Sequence, residues 1–150
     1  MTVTANDTTA VGQTEPVQIH FDDLDAMGVV HNGRYVLLLE RALAAYWTQA
    51  GWPFDPSQPR FAEVFFVVRE FSITYHVPIT RVGTVHVQFW IDHLGSSSAV
   101  YGFRVRSEDG TVVHAEGRRV QVRIDPATLR PAAIGPALRE ACRPLLRPRI

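Results

Sequence analysis

From Val17 the chain alternates, with Val17, Ile19 and Phe21 on one side and Gln18, His20 and Asp22 on the other, which is the period of a half-buried strand. After Asn32 the period changes. Residues 33–50, GRYVLLLERALAAYWTQA, predict one long helix closed by Gly51 and Pro53. Asn32 reads as its N-cap, because a side-chain oxygen there can accept from unpaired first-turn amides. Arg34, Glu40, Arg41, Thr48 and Gln49 are nearly its only polar residues, so the helix needs cover on most sides. Strand periodicity returns over 65–79, ending at Pro78, and over 84–92, with Val85, Val87, Phe89 and Ile91 inward. It continues over 98–107, with Tyr101, Phe103 and Val105 inward. Asp109-Gly110 predicts a hairpin into 111–125, where Gly117 reads as a bulge at which the alternation slips before Val120, Val122 and Ile124 resume it. Pro136 and Pro144 bracket a short helix between Ile134 and Leu146. Strands joined by hairpins, with one long helix, imply an α+β fold on an antiparallel sheet.

Composition narrows the class. The 150 residues, 46% hydrophobic and 20% charged, suit a single domain over 16–150 behind a flexible leader, 1–15, that lacks periodicity. Fifteen basic and fifteen acidic residues cancel, so no net field draws the chain to nucleic acid or an anionic membrane. All the basic residues are arginine; without lysine, Schiff-base chemistry is excluded. One cysteine, Cys142, allows no internal disulfide, and the first residues carry no secretory signal, so a cytoplasmic location is expected. No apolar run approaches the roughly 20 residues that span a bilayer. The histidines lack the paired spacing of a zinc site, and Ser96, Ser97 and Ser98 lack the strand-turn-helix setting of a nucleophilic serine, so no metal or cofactor is expected.

The segment FDDLDAMGVVHNGRY, residues 21–35, concentrates the polar chemistry directly before the apolar helix. An aspartate carboxylate is ionised near neutrality and serves as base or nucleophile. The amides of a first helical turn point at whatever lies before the helix, with the positive end of the helix dipole behind them. A carboxylate of this segment and the helix start therefore suit the two halves of one site. Asp22 and Asp23 read as turn formers.

DLDAMGVVHNGRYVLLLERA, followed by RVGTVHVQFWIDHLGSSSAVY, resembles the hot-dog-fold acyl-CoA thioesterases of the 4-hydroxybenzoyl-CoA thioesterase type, over about residues 16–124. The resemblance implies a five-stranded antiparallel sheet wrapped around the helix, and hydrolysis of an acyl or aroyl thioester to free acid and thiol. It makes Asp25 the catalytic carboxylate, the backbone of Asn32 the carbonyl-polarising donor and Gly33 its possible neighbour. His31, Tyr35, Phe61, Phe65, Phe66 and Ser97 become candidate substrate contacts, and Trp52 and Phe54 stand near the expected acyl wall. It also implies a homodimer joined sheet edge to sheet edge, with tetramers common among relatives. Coenzyme A, or the pantetheine of an acyl carrier protein, enters only as part of the substrate. Where several relatives carry basic residues for coenzyme A phosphates, this chain has HLGSSS, leaving Arg81, Arg118, Arg119 or the C-terminal arginines to do that work, or a carrier protein to present the thioester. Glu40 reads as a buried or interfacial polar contact. A binding protein for acyl ligands and, less favoured, a dehydratase are the alternatives.

Overall fold

The computed structural model describes residues 11–148, so the first ten residues of the expected leader lie outside the described residues. Strand β1, Gln13–Ile19, pairs along its whole length with β3, Gly83–Leu94, so order begins within the expected leader. With β2, Phe66–Tyr75, β4, Ser98–Ser107, and β5, Val113–Arg123, these form one antiparallel sheet in the order β1-β3-β4-β5-β2. The long helix, α1, spans Tyr35–Gln49 behind a 3-10 turn at Asn32–Arg34.

The alternation in β3 and β4 puts Val85, Val87, Phe89, Ile91, Tyr101, Phe103 and Val105 on one face, all buried. Onto them, with Val17 and Ile19, α1 lays a stripe of Tyr35, Leu38, Leu39, Ala42 and Leu43 at helical spacing. Within this chain the cover stops there. Leu37, Glu40, Ala44, Ala45 and Thr48 remain exposed, so the expectation of a helix wrapped on most sides is corrected to a helix covered along one stripe. Phe21 is likewise corrected: the strand ends at Ile19, and its ring is 83% exposed.

The reading of β5 also changes. Gly117 keeps register with Ile73 on one side and Phe103 on the other, and the shifts fall elsewhere, between Val68 and Glu70, Ile91 and His93, and Val105 and Arg106. A Cβ at position 117 would stand 2.0 Å from the Ser72 carbonyl oxygen, so glycine answers a close backbone approach here. Without a slip, Ala115, Gly117, Arg119 and Gln121 share the helix-facing side with Phe103 and Tyr101, while Val120 and Val122 turn outward. The sheet thus buries an arginine and a glutamine and leaves valines at its surface.

After β5 the chain crosses to α2, Pro136–Ala141, with proline in its first turn as expected, and a 3-10 turn, Arg143–Leu145. Ile134, Leu138, Cys142 and Leu145 join the core, and Arg139 donates to the carbonyls of Gly95 and Ser96. The C-terminal segment is therefore packed and tied to the β3–β4 turn. On the outer face Gln88 and Trp90 are buried too, Gln88 donating to the carbonyl of Val11 and Trp90 lying under Arg104 and Arg147.

Candidate active site

Between β1 and α1 the chain makes a short loop fixed at its base by Asp23. That carboxylate, 1% exposed, accepts from the amide of His20 at 2.8 Å and lies 3.9 Å from Arg34 and 3.6 Å from Arg41. Asp23 is the structural aspartate of the three. Its own carbonyl takes the amide of His31, and the amide of Val30 reaches the carbonyl of Ile79, so the loop is held from both sides.

Asp25 sits at the outer turn of this loop. Its amide donates to Val29, and the amide of Gly28, at φ +78°, donates back to its carbonyl, a turn for which glycine is the natural residue. Its Oδ1 accepts from Met27 at 2.9 Å and from Val29 at 3.4 Å, which fixes the carboxylate without using Oδ2. The same recess is lined by Asp25, His31, Asn32, Tyr35, Tyr75 and His76, in a cavity of about 470 Å³. The aspartate and the helix start therefore do open onto one space.

The helix start itself differs from the reading. His31, rather than Asn32, is the cap: its Nδ1 accepts from the amide of Gly33 at 2.9 Å, and its carbonyl from that of Arg34. That removes Gly33 as a free carbonyl-polarising donor. Among the described residues the amide of Asn32 makes no hydrogen bond, while its carbonyl accepts from the Tyr75 hydroxyl at 3.0 Å. Tyr75 packs edge-on against Tyr35, ring centroids 5.1 Å apart, and burial raises the Tyr35 hydroxyl above its ordinary range. His76 holds Glu116 at 2.9 Å, and Glu116 in turn meets Arg104.

The other candidates are elsewhere. A second cavity, about 460 Å³, lies between the C-terminal half of α1, the Phe66 end of β2, β4, β5 and α2. Phe66, Trp52 and Phe54 line it; Phe61 and Phe65 stack with Phe54 in an aromatic cluster at its margin. Ser97 lines neither cavity and sits in the β3–β4 turn, its carbonyl accepting from Arg123. Next to that turn, His93, Arg139, Arg143 and Arg147 surround a third recess with Asp92 and Glu140. The sequence reading missed the polar side of the second cavity, where Arg119 bonds both Gln121 and Glu40. Glu40, expected as a buried or interfacial contact, is half-exposed within this chain. Its signal was the phase of β5: kept unbroken through Gly117, the alternation points Arg119 and Gln121 inward. Among the described residues no three His, Cys, Asp or Glu side chains gather as metal ligands.

A single long helix lying on a five-stranded antiparallel sheet in the order β1-β3-β4-β5-β2, with a carboxylate loop at the helix start, is the hot-dog fold. The thioesterase superfamily profile matches residues 27–114, and the chain belongs to that family. The acyl-CoA thioester hydrolase YbgC of Escherichia coli is 29% identical over 120 residues, covering 79% of this chain and 87% of YbgC. A crystal structure of the PA5185 protein from Pseudomonas aeruginosa superposes with a TM-score of 0.82 at 26% identity, over 92% of this chain and 94% of that one. A Thermus thermophilus thioesterase complexed with coenzyme A and zinc superposes at 0.72 with 30% identity, over 88% and 92% of the two chains.

Proposed function

We propose that this thioester hydrolase acts on acyl-CoA, cleaving the thioester to a free acid and coenzyme A with Asp25 as the acting carboxylate. The observation that supports the reading is that Asp25 and Asn32, whose amide makes no hydrogen bond among the described residues, line one recess, where the carboxylate would meet a carbonyl group as base and the amide would meet it as donor. In the water-mediated form, Asp25 Oδ2 takes a proton from water, the hydroxyl adds to the carbonyl carbon, and the oxyanion meets the Asn32 amide. Collapse then breaks the C–S bond and returns the proton to the thiolate. In the direct form Oδ2 itself adds, collapse breaks the C–S bond and expels the thiolate to leave a mixed anhydride on Asp25, and water then cleaves that anhydride, freeing the acid, restoring the carboxylate and supplying the proton that the thiolate takes up. A donor aimed at the developing oxyanion is worth about 3 to 4 kcal/mol in other hydrolases. Coenzyme A as carrier is supported by YbgC and by the coenzyme A complex of the Thermus relative.

The reading includes a homodimer through the β2 edges. Val67, Val68 and Tyr75 on that strand are exposed, as is the uncovered side of α1, and a bare edge calls for a partner. Thiol release across aliphatic and aromatic acyl-CoAs tests the activity. Asp25→Asn should fold as the wild type does and lose about 100-fold or more in kcat. A folded Asp25→Asn protein that hydrolyses its best substrate at the wild-type rate overturns the assignment, and binding without release across the panel turns the protein into an acyl-ligand carrier.

A further inference from the structure

The second cavity combines two properties that seldom meet. Most of its wall is apolar, from Leu43, Trp47, Phe66, Leu94, Ile134 and Leu138. Yet one side is the polar group Glu40, Arg119 and Gln121. Its volume of about 460 Å³ falls in the range of small-ligand sites. An inward arginine and glutamine on a sheet face otherwise built of Phe, Tyr and Ala are costly unless satisfied, so the way their bonds are spent indicates what completes them.

Arg119 is engaged at each of its nitrogens: Nε and Nη2 both donate to Gln121 Oε1, and Nη1 donates to Glu40 Oε1. Glu40 neutralises its charge. Two groups are left over. Gln121 Nε2 has no acceptor among the described residues, and since Arg41 Nη1 is the one sealed and unbonded side-chain polar atom found there, Nε2 opens onto the cavity. Glu40 Oε2 is the second, on a side chain 52% exposed. One is a donor and the other an acceptor.

We infer that this cavity is the acyl pocket and that Glu40, Arg119 and Gln121 select an acyl group bearing a neutral hydroxyl away from its thioester end. A hydroxyl accepts from Gln121 and donates to Glu40 at once; a plain hydrocarbon chain leaves the Gln121 NH₂ without an acceptor and displaces water from the cavity side of Glu40, and a carboxylate meets the charge of Glu40. Arg119 acts as the positioning residue, holding the Gln121 carbonyl so that its NH₂ faces inward. The inference rests on the thioesterase reading for its assay, but the recognition itself is separable from turnover.

The experiment takes acyl-CoA pairs matched in length, each with and without a hydroxyl, in aliphatic and arylacetyl series, and compares kcat/KM within each pair. The best pair should favour the hydroxylated member by about 10- to 100-fold, the scale of hydrogen bonds to charged groups. Gln121→Met, of similar shape, should bring that ratio below about threefold, chiefly through KM. Glu40→Gln, which keeps the side chain's shape, should leave Arg119 uncompensated and shift preference toward chains ending in a carboxylate, which loss of packing or of association alone would not do. Calorimetric binding of the same pairs to Asp25→Asn reads the selection even if no hydrolysis occurs. Equal or better handling of the plain members by the wild type, or a ratio that survives both substitutions, overturns the inference. Absent thiol release with the pairwise binding difference intact overturns only the thioesterase reading.

Discussion

His31 points its ring back along the chain and takes the amide of the residue two places on. That one bond changes what the helix start can offer, because it spends the Gly33 donor on the fold, whereas the Asn32 amide makes no hydrogen bond among the described residues. A cap of this kind contributes about 1 kcal/mol. His31→Ala should therefore lower unfolding free energy by about that amount in urea titration, and His31→Asn, which can accept in the same way, should restore most of it. A stability unchanged in the alanine variant would mean the bond is not formed in solution. Asp23 and Asp25 make the complementary point. Both stand in one motif two residues apart, but one is sealed beneath two arginines and the other sits in an exposed turn with one oxygen uncommitted. Sequence could rank them only through the resemblance; burial separates them physically.

Among the elements, strand positions were legible because alternation and turn chemistry agree: β4 was placed to the residue, and Asp109-Gly110 does reverse the chain. Asp109 shows how strongly that turn is built. Hydrogen bonds from the Thr111 amide and then from the Ser107 and Thr111 hydroxyls hold its carboxyl down at about 2, against an ordinary 3.8. A depressed carboxyl stabilises the fold fully above its ordinary value, and this contribution is lost as pH falls through about 2. Asp109→Ala should thus melt lower than wild type near neutrality, with the gap closing as pH falls below 3.8; carboxyl chemical shifts should give Asp109 a midpoint near 2. What was not legible was phase. Two β-branched residues at 120 and 122 look like core, and a glycine before them looks like a bulge, but the close approach of Ser72 uses that glycine without shifting the register. Tertiary contact, invisible in a local pattern, decided which side of β5 is buried. The docking of the C-terminal segment was hidden in the same way, since the Gly95 and Ser96 carbonyls that Arg139 meets lie far off in sequence.

For the whole molecule, the question is how the proposed carboxylate and the proposed acyl pocket, which line separate cavities, could serve one substrate. Tyr75, at the end of β2, touches the helix start beside Asp25, whereas Phe66, at its beginning, lines the second cavity. β2 runs ten residues, so its two ends lie about 30 Å apart, while on α1 Tyr35 of the first space and Glu40 of the second stand about 7.5 Å apart along the helix. An antiparallel pairing of two β2 edges about a twofold axis, the commonest oligomer symmetry, brings the Tyr75 end of one protomer beside the Phe66 end of the other. On the dimer proposal, then, each site takes its carboxylate from one chain and its acyl cavity from the next. Complementation tests this directly. Asp25→Asn lacks the carboxylate; Ala44→Trp, on the cavity wall and on the uncovered side of α1, fills the pocket, and sedimentation must first show that it still forms dimers. Each alone should be nearly inactive. Mixed, dissociated and reassociated in equal amounts, half the dimers are heterodimers carrying one intact site of two, so activity should return to about a quarter of wild type. If the two spaces belong to one protomer's site, no mixture recovers activity, because every chain then lacks one half of its own machinery.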